Sequence, residues 1–451
     1  MRYRRAPWPA DQLAIASPFV RWMVPVLLTV LSMRLAESAV AETFGNLHVP
    51  GSFADRYSYA IAEIARSARD SVPDMNIRVV IVGEEQETQR DLCASSPIDL
   101  PNQSYSLTVS GDNLTVCSAS EEGALHGLSH LESLWLAGPL HDMQQNYSPA
   151  FDQRVLHFMV RAVSMAQFRD IIRRARLARF NTLALIMSDG IAFDSTPQKV
   201  RSDALTKLQL STLCDEARAS GFRLVAEIKL LTHQQVFLGS ARPDLMYNKR
   251  TYDPRKHEVY EIVGRYLDEV IETVKPYAIH IGHDEVQGIG KAAKQKLLNP
   301  GERPLPADLF LQDILELHKM ISARGLEIWM WGDMLVPRRL LPEILQRNWA
   351  ERSGFPLLID KLPHDIVIND WRYFEYGDFP SSEYFHDHGF RVYGATWYDI
   401  AATRAFAHYL STRSWKADGM IATTWYLLPR GQWETVYEII DQSGAAYWNG
   451  D

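Results

Sequence analysis

From about residue 154 to residue 425 the chain alternates short apolar runs with stretches whose apolar positions recur every three or four residues. The apolar runs predict strands at 155–160, 180–187, 222–228, 277–282, 326–331, 365–371, 390–396 and 420–425. Helical patterns fall between most of them, at 164–178, 203–219, 257–274 and 307–323. Asn181, Gly221, Gly325, Gly389 and Gly419 punctuate several helix-to-strand turns, where a left-handed residue commonly stops a helix. Eight strands alternating with helices predict a (β/α)8 TIM barrel over residues 151–451. A doubly wound sheet is the rival, but no glycine-rich phosphate loop follows the first strand.

Upstream, residues 42–150 read as a small α+β accessory domain. Residues 53–67 have helical spacing (Tyr57, Ile61, Ile64, Ala65), and 77–82 is a β-branched run ended by Gly83. Residues 105–109 and 114–117 form two strands around the turn Ser110-Gly111-Asp112-Asn113. Ser120 then opens a helix through His126, Leu128, Leu131 and Leu134. Residues 138–153, with Gly138-Pro139 and Ser148-Pro149, read as a linker.

The first 41 residues follow neither pattern. Arg2, Arg4 and Arg5 precede a charge-free run at 22–33 (WMVPVLLTVLSM), shorter than the roughly 20 apolar residues a membrane span needs. Ala39-Val40-Ala41 follows, so residues 1–41 read as a signal peptide cut before Glu42, with an uncleaved signal anchor as the alternative. The expectation is export: periplasmic, secreted, or held by that anchor. No later apolar run is long enough to span a membrane.

The whole chain has 47 basic and 55 acidic residues, a net charge of -8, and no Lys/Arg-dense run or nucleic-acid module. A nucleic-acid partner is therefore not expected. Of the three cysteines, Cys93 and Cys117 are close enough in sequence to pair, while Cys214 sits in an apolar helical pattern and reads as core. Nothing in the sequence indicates an oligomeric state.

In a barrel of this kind the site lies at the C-terminal ends of the strands. Strand four ends in His280-Ile281-Gly282-His283-Asp284-Glu285. Two adjacent carboxylates aimed at one dry pocket repel, so one tends to stay protonated, as a general acid requires. Trp329 and Trp331 end strand five, Trp371 strand six, Trp397 and Tyr398 strand seven, Trp425 and Tyr426 strand eight. Flat aromatic faces are what sugar rings pack against, so the pattern predicts a carbohydrate pocket. Arg161 ends strand one, Glu227 ends strand three, and His233 follows. Arg161 and Glu227 read equally well as ligand contacts or as a buried ion pair tying strands together. His280 and His283 match no standard zinc spacing, so neither a metal nor a cofactor is expected.

These residues resemble a known family. His280 to Val286 (HIGHDEV) is similar to the H-x-G-G-D-E signature of family 20 glycoside hydrolases, the β-N-acetylhexosaminidases. Ala226 to His233 (AEIKLLTH) lies over that family's P-E-I-D-x-P-G-H segment. Arg161 matches its strand-one Arg, and Asn181 with Asp189 its strand-two pattern. Tyr105-Ser106-Leu107, Leu114-Thr115-Val116 and Glu122 to Leu128 resemble segments of its small domain.

The resemblance implies exo-acting, retaining, substrate-assisted hydrolysis of a terminal β-linked 2-acetamido sugar, GlcNAc or GalNAc, through an oxazolinium ion. It implies Glu285 as acid and base and Asp284 as the group orienting the acetamido. Arg161, Asp189, Glu227, His233, Trp331, Trp371, Tyr398, Asp399 and Trp425 are the implied substrate contacts. The sequence also departs from the family. His283 replaces a glycine beside the acid, and Ala226 and Lys229 replace the Pro and Asp of the strand-three segment. Leu427 stands where strand eight carries a Glu. At strand seven, Tyr398 and Trp397 both remain candidates for the family's Tyr. His283 and Leu427 keep open an alternative in which the barrel binds carbohydrate without turning it over.

Overall fold

The computed structural model describes residues 41–82, 93, 102–286, 298, 299, 301–340 and 347–451. Residues 1–40 of the expected signal segment and Gly83 lie outside the described residues. A six-stranded mixed sheet comes first, built from β1 (Ala41–Phe44), β2 (Leu47–Pro50), β3 (Asn76–Ile81), β4 (Tyr105–Ser110), β5 (Asn113–Ser118) and β6 (Met143–Tyr147) in the order β1-β2-β3-β5-β4-β6. The helix Glu121–Ala137 is capped by Ser120, whose side chain accepts the Gly123 N–H. Leu125, Leu128 and Leu131 from this helix enter the sheet's apolar core. Cys93 and Cys117 form a disulfide, and Cys214 is a buried free thiol.

Two readings of this region need correction. The helix expected over 53–67 is two helices, Gly51–Arg56 and Ser58–Ser71, broken where Tyr57 leaves helical geometry and buries its ring beside Phe53. The expected linker 138–153 contains β6, an edge strand paired antiparallel with β4. Its polar sequence, MQQNY, carries no apolar alternation because much of it is solvent-facing.

Downstream come β7 (Gln153–Met159) and β8 (Thr182–Ile186), then a short parallel pair, β9 (Ile191–Ala192) and β10 (Leu205–Thr206). Six more strands follow: β11 (Arg223–Leu230), β12 (Ala278–Gly282), β13 (Glu327–Trp331), β14 (Val367–Trp371), β15 (Arg391–Thr396) and β16 (Gly419–Thr423). β7, β8 and β11 to β16 close into an eight-stranded parallel barrel, the (β/α)8 TIM architecture expected from the sequence. Helices Met165–Leu177 and Lys207–Arg218 begin with capping boxes, Ser164 with Gln167 and Thr206 with Gln209. Their buried stripes, Phe168, Ile171, Ile172 and Ala175, then Leu210, Leu213, Cys214 and Ala217, pack on the strands. Among the described residues no helix is long and apolar enough to cross a membrane.

Two of the expected turn residues act differently. The left-handed residue before β8 is Arg179 (φ 61°), not Asn181. The Asn181 amide instead accepts the Arg154 N–H at 3.0 Å and donates to Asp152 and Glu122. Before β16 the left-handed residue is Lys416 (φ 45°). Gly419 is needed because a Cβ there would lie 2.7 Å from the Gln153 carbonyl oxygen of β7.

Inside the barrel, Val155, Val225, Trp329, Val367, Tyr393 and Ile421 fill a lower apolar layer. Side chains two residues further along a strand face the same way. The layer above is therefore His157, Glu227, His280, Trp331 and Asn369, and it forms the floor of the site.

Candidate active site

The floor is buried and polar. His157 Nε2 hydrogen-bonds Glu227 Oε2, and both residues are 1 % exposed. Burial pushes the Glu227 carboxyl up, but the charges of His157 and His280 outweigh it and hold the group below its ordinary value. His280 Nδ1 accepts the Gly282 N–H at 3.0 Å, and burial pushes this imidazole down to about 4. Glu227 is thus committed to His157, while Arg161 pairs with Asp189 (Nε to Oδ1 2.7 Å). The possible Arg161–Glu227 pair does not form. Gly190 makes the observed pairing possible: a Cβ there would meet the Val160 carbonyl oxygen at 2.3 Å, so only glycine lets the two strand ends run this close.

Above the floor stand Asp284 and Glu285. His233 Nε2 lies 3.2 Å from Asp284 Oδ2 and 3.7 Å from Glu285 Oε2. Arg250 Nη2 is 3.4 Å from His233 Nδ1. A guanidinium only donates, so Nδ1 accepts and Nε2 carries the proton given to Asp284. Burial would raise the Asp284 carboxyl, yet the electrostatic attraction and hydrogen bond of the His233 N–H, helped by the charge of Lys229, hold it well below the usual range. Glu285 goes the other way. Burial first, then the charges of Asp284 and Asp333, push it up to about 9. Its own backbone N–H donates to Asp333 Oδ2 at 3.2 Å. Two adjacent carboxyls therefore hold opposite protonation states at neutral pH, one a charged acceptor and one a proton donor.

The ligand atoms of His233, Asp284 and Glu285 lie within 4.8 Å of one another, close enough to grip a cation. A metal would have to displace the proton on His233 Nε2 and the one on Glu285. The trio as arranged suits proton transfer.

Aromatic rings flank the carboxylates. Trp371 stacks on Tyr373 at 5.0 Å, Tyr373 meets Trp397 at 5.5 Å, and Trp425 Nε1 donates to the Tyr373 hydroxyl at 2.9 Å. Burial pushes the Tyr373 phenol well up, and the charges of Asp284 and Glu285 add to the rise. Trp331 is fully buried beneath Trp425 at 5.4 Å and beside His280 at 4.6 Å. It belongs to the floor, not to an exposed wall. Tyr398 is 53 % exposed and packs on Trp397, while Asp399 accepts the Ala402 N–H as a helix cap.

His283 does not stand beside the acid. Its ring turns into the barrel wall, where Nε2 meets Asp313 at 3.0 Å and Nδ1 meets the Ile281 carbonyl oxygen at 3.0 Å. Tyr252 and Tyr260 donate to the same Asp313 carboxylate.

Of the expected residues, the structure gathers Asp284, Glu285, His233, Arg161, Asp189, Trp371 and Trp425 around the cleft. Glu227 and Trp331 lie beneath it, and Asp399 caps a helix. Tyr373, Asp333, Arg250 and His157 were not foreseen. Tyr373 and Asp333 each lie two residues past a strand-end Trp, which is a usable signal. Arg250 sits in a loop without periodicity, and nothing in the sequence marks it.

Residues 187–426, which include all of this constellation except His157 and Arg161, match the model of glycosyl hydrolase family 20, catalytic domain. The chain belongs to that family. It is accordingly a glycoside hydrolase, and the alternative of a barrel that only binds is set aside. Solved family 20 structures share the fold. The chitobiase of Flavobacterium johnsoniae superposes with a TM-score of 0.63 at 16 % identity, over 92 % of this chain and 67 % of that one. The exo β-N-acetylglucosaminidase of Vibrio harveyi, solved with N-acetylglucosamine, gives 0.63 at 14 %, over 92 % and 72 %. The β-N-acetylhexosaminidase of Streptomyces coelicolor A3(2) gives 0.61 at 13 %, over 92 % and 94 %. At such identities the likeness carries the fold alone, so the roles of individual side chains in this family 20 barrel rest on the geometry above.

Proposed function

We propose that the protein is an exo-acting, retaining β-N-acetylhexosaminidase that uses its substrate's own acetamido group as nucleophile. The observation that carries this reading is the gathering of two neighbouring carboxyls at one histidine, His233 Nε2 lying 3.2 Å from Asp284 and 3.7 Å from Glu285, in surroundings that favour a protonated Glu285 beside a charged Asp284. The site offers a proton donor and a charge stabiliser, which is what a substrate-assisted reaction needs from the protein.

In the first step Glu285 gives its proton to the glycosidic oxygen as the C1–O bond breaks. The acetamido oxygen bonds to C1, closing an oxazolinium ring, and the aglycone leaves as an alcohol. Asp284 accepts the acetamido N–H and stabilises the positive charge that develops there, while the His233 proton keeps Asp284 oriented. In the second step Glu285, now a carboxylate, takes a proton from water. The hydroxide adds to C1, the ring reopens, and configuration is retained. Trp371, Tyr373 and Trp425 support the sugar and its acetamido group.

Export is part of the proposal, and the Cys93–Cys117 disulfide supports an oxidising compartment.

The test is release of 4-nitrophenol from its β-GlcNAc and β-GalNAc glycosides, with the β-glucoside and Glu285→Gln as controls. Turnover of the acetamido sugars alone, abolished in the variant, is the expected result. Equal rates on the β-glucoside would rule out the neighbouring-group step.

A further inference from the structure

The third barrel strand, β11, delivers a lysine to the cleft where the resemblance leads one to expect an aspartate. Lys229 lines the cleft together with Arg161, Asp189, Gln198, His233 and Tyr426. Its Nζ lies 5.4 Å from the Trp425 ring and 5.0 Å from the Tyr426 ring, and it donates to the Tyr426 hydroxyl at 3.3 Å. An ammonium has three protons to give. Among the described residues no carboxylate comes within ion-pair distance of it, because the nearby acids are engaged: Glu227 with His157, Asp284 with His233, Asp189 with Arg161. Burial alone would favour neutral lysine, but Tyr426, Glu227 and Asp284 more than offset it, so the group stays charged.

The opposite wall changes in the same sense. At the end of β16 the residue expected to be a carboxylate is Leu427, 5 % exposed and packed into the core. One acid has become a cation and another has withdrawn from the cleft. An uncharged sugar hydroxyl would meet a strongly hydrated ammonium whose desolvation it repays poorly. An anionic substituent would take charge-assisted hydrogen bonds from it.

We infer that the preferred substrate is a 2-acetamido sugar carrying an anionic substituent, a sulfate ester or a carboxylate, and that Lys229 is the residue that selects it. The inference rests on the hexosaminidase reading above.

The experiment compares kcat/KM for three 4-nitrophenyl β-glycosides: GlcNAc, GlcNAc 6-O-sulfate and the 3-O-lactyl derivative. The wild type should prefer one charged glycoside by about tenfold or more, a gain that weakens as ionic strength rises. Which charged arm wins distinguishes the sulfate ester from the carboxylate. Lys229→Met should abolish the preference, and Lys229→Arg should keep most of it. No preference in the wild type, or an unchanged preference in Lys229→Met, overturns the inference. Turnover of none of the three would count against the hexosaminidase reading, so calorimetric titration with free GlcNAc and GlcNAc 6-sulfate is run in parallel. Tighter binding of the sulfated sugar that is lost in Lys229→Met supports the role of Lys229 by itself. Equal affinities in both proteins overturn it.

Discussion

Glu285→Gln should make the folded protein more stable while destroying its activity. A carboxyl whose ordinary value is 4.5 is held protonated up to about 9 in the fold, so folding is opposed wherever the unfolded chain would ionise it. The sign follows from linkage: the group's contribution to stability is fully present below about pH 4.5 and is lost progressively as pH rises through about 9. Each unit of that window is worth up to about 1.4 kcal/mol, or about 3 kcal/mol at pH 7 as an upper bound. Glutamine has nearly the same shape and no charge to lose, so the variant escapes this loss. Urea unfolding of both proteins at pH 4.5, 7 and 8.5 is the assay. The expected result is near-equal stability at pH 4.5 and an advantage for the variant that grows with pH to about 2–3 kcal/mol. Parallel curves for the two proteins would refute the claim that the site holds Glu285 neutral, and with it the proton-donor assignment.

The same electrostatics set the pH profile. Activity should persist to about pH 9 and fall above it, and Asp333→Asn, by removing a repelling charge, should move that alkaline limb to lower pH. Tyr373→Phe leaves the Trp425 N–H without its acceptor and should lower kcat/KM about tenfold, whereas Tyr398→Phe should change it less than about twofold. His283→Gly removes one partner of a buried pair, about 3 kcal/mol, and relieves about 1 kcal/mol of left-handed strain, for a net loss of about 2 kcal/mol in denaturant unfolding. Cys93→Ser should cost about 3 kcal/mol, the loop-closure value for a separation of 24 residues, measured against reduced wild type as control.

Much of the barrel was legible because parallel strands buried on both faces read as continuous apolar runs. All eight expected strand starts fall within two residues of those observed, and helix His257–Val274 matches at both ends. What failed was whatever depends on a neighbour distant in sequence. β6 is a strand because β4 offers it backbone partners, not because MQQNY prefers to be one. Arg161 and Glu227 both fall at the ends of barrel strands in the sequence, but the fold decides that one meets Asp189 and the other His157. The Asp284–Glu285 pair was readable as chemistry. Which of the two is charged depends on Asp333, His233 and Arg250, which come from other loops.

The hardest feature to read was the backbone itself. Ala162, Leu231, His233, His283, Glu285 and Trp425 all have positive φ, and all follow the C-terminal ends of barrel strands. None is glycine, asparagine or aspartate, so each of these conformations costs on the order of 1 kcal/mol. That strain has a geometric use. Successive side chains on an extended strand point to opposite faces, so Asp284 and Glu285 could not share a pocket if β12 simply continued. Left-handed turns at His283 and Glu285 break the alternation and bring both carboxyls to His233, while sending the His283 ring outward to Asp313. A glycine at 283 would turn more easily but would leave nothing to hold the turn. Histidine makes the turn harder to form and then fastens it to the helix Ala307–Ser322 through a buried carboxylate, itself fixed by two tyrosine hydroxyls. Replacing the motif's glycine therefore moves the rigidity of the acid pair from backbone freedom to side-chain anchoring, which is why His283→Gly should lower kcat more than it changes KM.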